Sequence, residues 1–167
     1  SARSFKLPPH SDKDFICHLL SVCKKNNISL VVPTTDTELE VLSKNRQSFL
    51  KYGINIVVSD TTLIEKCSDK RKTPELFDSF GISCPKIYTG VTEFPCFCKP
   101  CKGSGGHGTK IINNSTELEL ARSADANNIF CEFVGPEFTE YTVDAYYSKS
   151  GVLVCLVPRE RQEVRGG

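Results

Sequence analysis

The two apolar runs "ISLVV" (Ile28–Val32) and "INIVV" (Ile54–Val58), with a capped helical pattern between them, constrain the fold more than any other feature of the chain. Runs that are apolar at four positions of five, rather than strictly alternating, read as short buried strands. Thr35-Asp36-Thr37-Glu38 caps the intervening helix, which carries Leu39, Leu42, Phe49 and Leu50 and stops at Gly53. This is a βαβ unit, so its strands should run parallel and be covered by helices.

A helix precedes the unit. Ser11-Asp12-Lys13-Asp14 reads as a capping box, and Phe15, Ile16, Leu19, Leu20 and Cys23 recur at helical spacing to about Asn26. After the unit, a short helical stretch over Thr61–Cys67 leads into "SDKRKTPELFDSFGISCP". There Pro74 suits a first helical turn, Leu76, Phe77 and Phe80 form an apolar face, and Gly81 is a C-terminal cap. The composition shifts around Ser68, which separates a partial N-terminal α/β domain (1–67) from a second domain (68–167).

Beyond Pro85 the pattern changes. Phe94–Lys99 and Thr109–Ile112 read as strands and Thr116–Ala126 as a helix, followed by strands Ile129–Val134, Phe138–Tyr147 and Val152–Val157. The last two are joined by Ser148-Lys149-Ser150-Gly151 as a hairpin. The expectation is a parallel α/β first part and a mixed α+β second part.

Charge narrows the partners. Lys and Arg total 21 against 20 acids, and a net charge of +1 supplies no basic field for nucleic acid or an anionic membrane. No apolar run reaches the roughly 18 residues that a membrane span needs. The nine cysteines are odd in number, and Cys17, Cys23, Cys131 and Cys155 fall within apolar runs, so they read as reduced thiols of a cytoplasmic protein. The chain starts at Ser1, contains no methionine and ends at Gly167, which reads as a fragment of a longer polypeptide.

"FPCFCKPCKGSGGHGTKI", Phe94–Ile111, is the stretch that carries chemistry. Gly103-Ser104-Gly105-Gly106-His107-Gly108 contains a formal G-x-G-x-x-G, but a dinucleotide fingerprint needs a helix after it, and Thr109-Lys110-Ile111-Ile112 reads as extended. A Walker A loop fails on residue order, since Thr109-Lys110 stands where Lys must precede Ser or Thr. What remains is a glycine-rich hairpin whose backbone N–H groups can approach a polyphosphate, with Lys99 adding a positive charge. A zinc site from Cys98, Cys101 and His107, with or without Cys96, is an alternative, and a plain mobile loop is the bland one.

Lys99-Pro100 ahead of "GSGGHGTKII", then "CEFVGPEFTEYTVDAYY" and "GVLVCLVPRER", stand in the order and spacing of the ATP-grasp superfamily. The chain is most similar to the carbamoyl phosphate synthetase large-subunit-like branch, and "LVVPTTDTELEVLSKNRQSFLKYGINIVVSD" and "SDKRKTPELFDSFGISCPK" extend the resemblance over essentially all of it. It implies an ATP-grasp fold: a partial N-terminal parallel α/β lobe, a glycine-loop subdomain, and the start of an antiparallel C-terminal subdomain, with 68–167 an ATP-grasp domain incomplete at its C-terminal end.

The resemblance also implies an ATP site. Lys70 and Lys99 match phosphate-contacting lysines, and Gly103, Ser104, Gly105, Gly106, His107 and Gly108 match the lid over the β- and γ-phosphates. Glu132, Phe133 and Val134 match the segment that meets adenine, and Glu137 the acid that accepts from ribose hydroxyls. Arg159 and Arg161, with Arg165, match arginines that hold an acceptor carboxylate or the transferred phosphate as catalytic groups. Glu140 and Asp144 share a strand face and read as solvated. The family's Mg²⁺ ligands correspond to positions outside this chain, so no metal ligand is assigned.

The implied function is the ATP-binding part of an ATP-dependent carboxylate–amine ligase that forms C–N bonds through an acyl phosphate, with ATP and Mg²⁺ as cofactors. Its substrates would be a small carboxylate and an amine or amino acid, and a homodimer is allowed. A non-catalytic nucleotide-binding or assembly module that keeps the fold is the alternative.

Overall fold

The computed structural model describes residues 3–90, 93–103 and 105–162. The chain divides into two compact units, Ser1–Ser83 with Cys101–Ser104, and Cys84–Pro100 with Gly105–Gly167. Ser68, where the composition shifts, lies inside the first.

The first unit contains α1 (Phe15–Lys25), β1 (Leu30–Val31), α2 (Asp36–Leu50), β2 (Asn55–Ile56), α3 (Thr61–Ser68) and α4 (Thr73–Asp78). Strands β1 and β2 pair in parallel, Leu30 opposite Asn55 and Val31 opposite Ile56, as the βαβ pattern requires. Phe15 and Cys23 from α1, Leu42 and Phe49 from α2, Ile54 just before β2 and Ile56 within it form one core cluster. The strands are shorter than their apolar runs and covered on one side only: Leu30, Val32 and Val57 are each more than half exposed.

The helix ends show which local signals hold. Ser11 does not cap α1; the Asp12 carboxylate accepts from the Asp14 N–H at 2.8 Å, and the helix starts after that turn at Phe15. Thr35 caps α2 by its extended backbone without a side-chain hydrogen bond, while Asp36 and Glu38 complement the helix dipole in the first turn. Gly53, at φ 72°, donates to the Leu50 carbonyl at 2.9 Å and ends α2 in the left-handed conformation that glycine tolerates. The apolar face expected on α4 is not buried: none of its residues is, and Phe80 just beyond it is 72% exposed.

The second unit contains β3 (Cys96–Pro100), β4 (Lys110–Ile112), α5 (Ser115–Ala124), β5 (Asn128–Glu132), β6 (Tyr141–Tyr147) and β7 (Leu153–Glu160). A three-stranded sheet has the order β4-β3-β5, with both pairs antiparallel. Cys96, Cys98, Ile112 and Phe130 from the sheet, Leu118 and Ala121 from α5, and Tyr88 make its core. Helix α5 begins at a reciprocal cap: the Asn114 side chain accepts from the Glu117 N–H at 3.0 Å, and the Glu117 carboxylate accepts from the Asn113 N–H at 2.9 Å.

The hairpin β6–β7 is a separate two-stranded antiparallel sheet, Tyr141 opposite Glu160 and Tyr147 opposite Leu153. Every residue on both strands is exposed except the half-buried Thr142. Cys155 on β7 and Cys17 on α1 are therefore solvent-facing despite their apolar neighbours in sequence, and the nine cysteines form no disulfide. No helix among the described residues is long and apolar enough to cross a membrane.

Candidate functional site

Lys70 is set by the turn between α3 and α4. Asp69 is 3% exposed, and its carboxylate accepts from the Arg71 backbone N–H at 3.0 Å and from the Arg71 guanidinium at 2.9 and 2.6 Å. Hydrogen bonding to Arg71, above all from its side chain, holds the Asp69 carboxyl at about 2, below its ordinary 3.8. With the turn fixed in this way, the Lys70 N–H donates to the Cys101 carbonyl at 2.8 Å and the Lys70 ammonium to the Gly103 carbonyl at 2.7 Å. Lysine and glycine, 33 positions apart, are thus fastened together at the start of the glycine loop. Lys70, Lys102 and Gly103 lie on the wall of a cavity of about 500 Å³ within the first unit.

In the second unit, the glycine stretch joins β3 to β4 and is followed by extended backbone, so neither a dinucleotide fingerprint nor a Walker A loop is formed. Gly105 and Gly106 have φ of 75° and 71°, and the turn is closed by the Thr109 hydroxyl donating to the Gly106 carbonyl at 2.7 Å. Gly108, at φ 74°, faces Pro100: a Cβ there would lie 3.0 Å from the proline ring. Gly105, Gly106, His107 and Gly108 are exposed; Ser104 lies outside the described residues.

Lys99 points to the face of β3 opposite the core. Strand alternation and register place Phe97, Lys99, Ile111, Ile129 and Cys131 on that face. Phe133 stacks on Phe97 with ring centroids 6.5 Å apart. Burial pushes the Cys131 thiol up, and the nearby Lys99 ammonium works against it. Ile129 and Cys131 on this face are buried, so half-buried Phe97, Lys99 and Phe133 are what remains for a ligand with an anionic end and an aromatic body. Phe97 escaped the sequence reading; the register of β3 against β5, which sets it on Lys99's face, is what reveals it.

Glu132 ends β5. Its N–H donates to the Lys86 carbonyl at 2.8 Å, and its carboxylate accepts from the Lys86 N–H at 3.2 Å. Val134 is 50% exposed beyond it. The Glu137 carboxylate folds over Gly135, where any Cβ would overlap it. Arg159 lies within β7 rather than after it, and its guanidinium pairs with Asp144 at 2.7 Å; Arg161 pairs with Glu140 at 2.7 Å. The two acids set aside as solvated are the partners of the two arginines singled out, and all four side chains are exposed. Arg165 lies outside the described residues.

Metal ligation has less support. Cys96 and Cys98 share the core face, and burial raises both thiols, which favours the neutral form over the thiolate that zinc requires. Among the described residues no group of three or more His, Cys, Asp or Glu side chains is placed to hold a metal ion.

Residues 2–57 match the family described as PylC-like, N-terminal domain. A D-alanine–D-alanine ligase of Fusobacterium nucleatum is 30% identical over 125 residues, 72% of this chain and 39% of that protein. A formate-dependent phosphoribosylglycinamide formyltransferase of Bifidobacterium longum is 29% identical over 97 residues, 50% of this chain and 24% of that protein. Among solved structures, the biotin carboxylase domain dimer of Hydrogenobacter thermophilus 2-oxoglutarate carboxylase, in complex with MgADP, ADP and bicarbonate, superposes over 93% of this chain and 39% of that one. The TM-score is 0.72 at 15% identity. The family matched over residues 2–57 and the ligases this chain resembles are ATP-grasp enzymes. Its mixture of a parallel α/β unit with antiparallel sheets is the ATP-grasp fold. The chain spans less than half the length of the curated relatives it matches.

Proposed function

We propose that this chain is the ATP-binding part of an ATP-dependent ligase that activates a carboxylate as its acyl phosphate and joins it to an amine or a related nucleophile. The observation that carries the proposal is the tie between the Lys70 ammonium and the Gly103 carbonyl, which sets a fixed positive charge at the root of a glycine loop. Phosphoryl transfer asks a protein chiefly for positioning and charge stabilisation, and lysines with bare backbone N–H groups supply both.

In this reading Lys70 and Lys99 neutralise phosphate charge, and Gly103–Gly108 serves as the lid. Phe97 and Phe133 offer the apolar surface for a purine, Glu132–Val134 its polar edge, and Glu137 the ribose acceptor. Arg159 and Arg161 hold the acceptor carboxylate: each guanidinium has five N–H donors and spends one or two on its acidic partner. The domain boundary at Ser68, the carbamoyl phosphate synthetase-like placement and a cytoplasmic location belong to the same proposal. Lysines and bare backbone N–H groups suit ATP phosphates; Mg²⁺, which would supply further charge neutralisation, has no ligand set among the described residues.

Titration of the chain with ATP, and with Lys99→Met beside it, tests the nucleotide site. Acceptor-dependent release of ADP, screened against small carboxylates and amines with the longer protein that contains this chain, tests the ligase. ATP binding without any acceptor-dependent ADP would instead establish the non-catalytic module.

A further inference from the structure

Lys99 has no ion-pair partner among the described residues, whereas Arg159 and Arg161 are each closed on a carboxylate. Its neighbour is a thiol instead. Strand register sets Lys99 opposite Ile129 and Phe97 opposite Cys131, so Lys99 and Cys131 are diagonal neighbours on the face of the sheet away from its core. Cys131 is 2% exposed and Lys99 half-buried. The Cys131 thiol donates to the Phe97 carbonyl at 3.4 Å, which commits its hydrogen and leaves the sulfur lone pairs for another donor. Burial pushes this thiol up, and the charge and hydrogen bonding of the Lys99 ammonium work against that, so the ammonium lies beside the sulfur.

A carboxylate and a neutral thiol act differently on an ammonium that has to meet phosphate. A carboxylate would direct the side chain but cancel much of its field; a buried thiol that stays neutral directs it and leaves the charge whole. Without such a support, a long lysine stem gives up its rotamer freedom only when the ligand docks, at the expense of affinity. We propose that Cys131 is a positioning residue for the nucleotide site: its sulfur receives the Lys99 ammonium and holds that side chain in the direction in which it meets phosphate. The assignment rests on the reading of Lys99 as a phosphate lysine, for which it supplies the support.

Equilibrium binding to the 167-residue chain is measured for ATP and for adenosine, which keeps the purine and ribose but has no phosphate, with thermal unfolding recorded for every variant. Cys131→Ala and Cys131→Val, one smaller and one larger but neither with a lone pair, should each weaken ATP by about fivefold and leave adenosine unchanged. Cys131→Ser, whose hydroxyl both donates and accepts, should bring ATP back to within about twofold of the parent chain. In a Lys99→Met background, Cys131→Ala should have no further effect on ATP, because the group it supports is gone. A parallel loss of ATP and adenosine, an ATP loss that persists without Lys99, or no recovery with serine overturns the proposal. If Lys99→Met weakens ATP while Cys131→Ala and Cys131→Val do not, the positioning role falls and the nucleotide site stands. If Lys99→Met leaves ATP unaltered, or the chain binds no ATP, the phosphate role of Lys99 is refuted and the positioning role with it.

Discussion

Asp69 shows what one side chain can fix. Its carboxyl is lowered in the folded chain, so its contribution to stability is complete above pH 3.8 and is lost as the pH falls through about 2. Asp69→Asn should therefore cost about 1–2 kcal/mol at neutral pH and flatten the acid limb of a urea-unfolding series, the half-exposed Arg71 keeping the cost below that of a fully buried pair. Lys99→Met should weaken ATP by about tenfold or more in a calorimetric titration while the far-ultraviolet spectrum is unchanged. Lys70 and Lys99 could be proposed from the sequence because they stand in motifs. Asp69 was not: its bonds run to a neighbour two positions on, within an irregular turn that leaves no periodic trace. The pairing of Arg159 with Asp144 was equally hidden, since it depends on the register of β6 against β7.

Elements were read well where pattern and burial agree. The βαβ unit, the hairpin around the glycines and the β6–β7 hairpin all stand, because apolar runs and turn residues specify them locally. They were misread where tertiary context decides: Phe80 has helical spacing but nothing in the structure covers it, and the strands around Leu30 and Asn55 shorten to two residues each. Helix α5 starts earlier than the expected Thr116 because Asn114 caps it. Asn114→Ala should destabilise the chain by about 1 kcal/mol in thermal unfolding, while Ser11→Ala, which removes no cap, should be neutral. Hydrogen exchange should separate the sheets. Amides of Phe97 and Cys98, central in β4-β3-β5, should exchange far more slowly than those of Val143 and Leu156, because a lone two-stranded ribbon is marginal in water.

At the scale of the whole molecule, apolar surface is distributed unevenly. Tyr141, Val143, Tyr146, Tyr147, Val154 and Leu156 are each more than half exposed on one hairpin, a concentration that a soluble monomer rarely shows. The isolated chain should self-associate at raised concentration, and Leu156→Lys with Val154→Lys should shift it toward the monomer in light scattering. No sequence pattern warns of this, since the same residues in a covered sheet would look identical.

The path of the backbone has its own consequence. Cys101–Ser104 belongs to the first unit although the residues on either side belong to the second. A polypeptide cut after Ser83 would be left without the carbonyls of Cys101 and Gly103 that receive Lys70, so the amino-terminal part cannot be excised by simple truncation and remain whole. Dissecting this protein into working halves requires grafting a short return segment, not choosing a better end point.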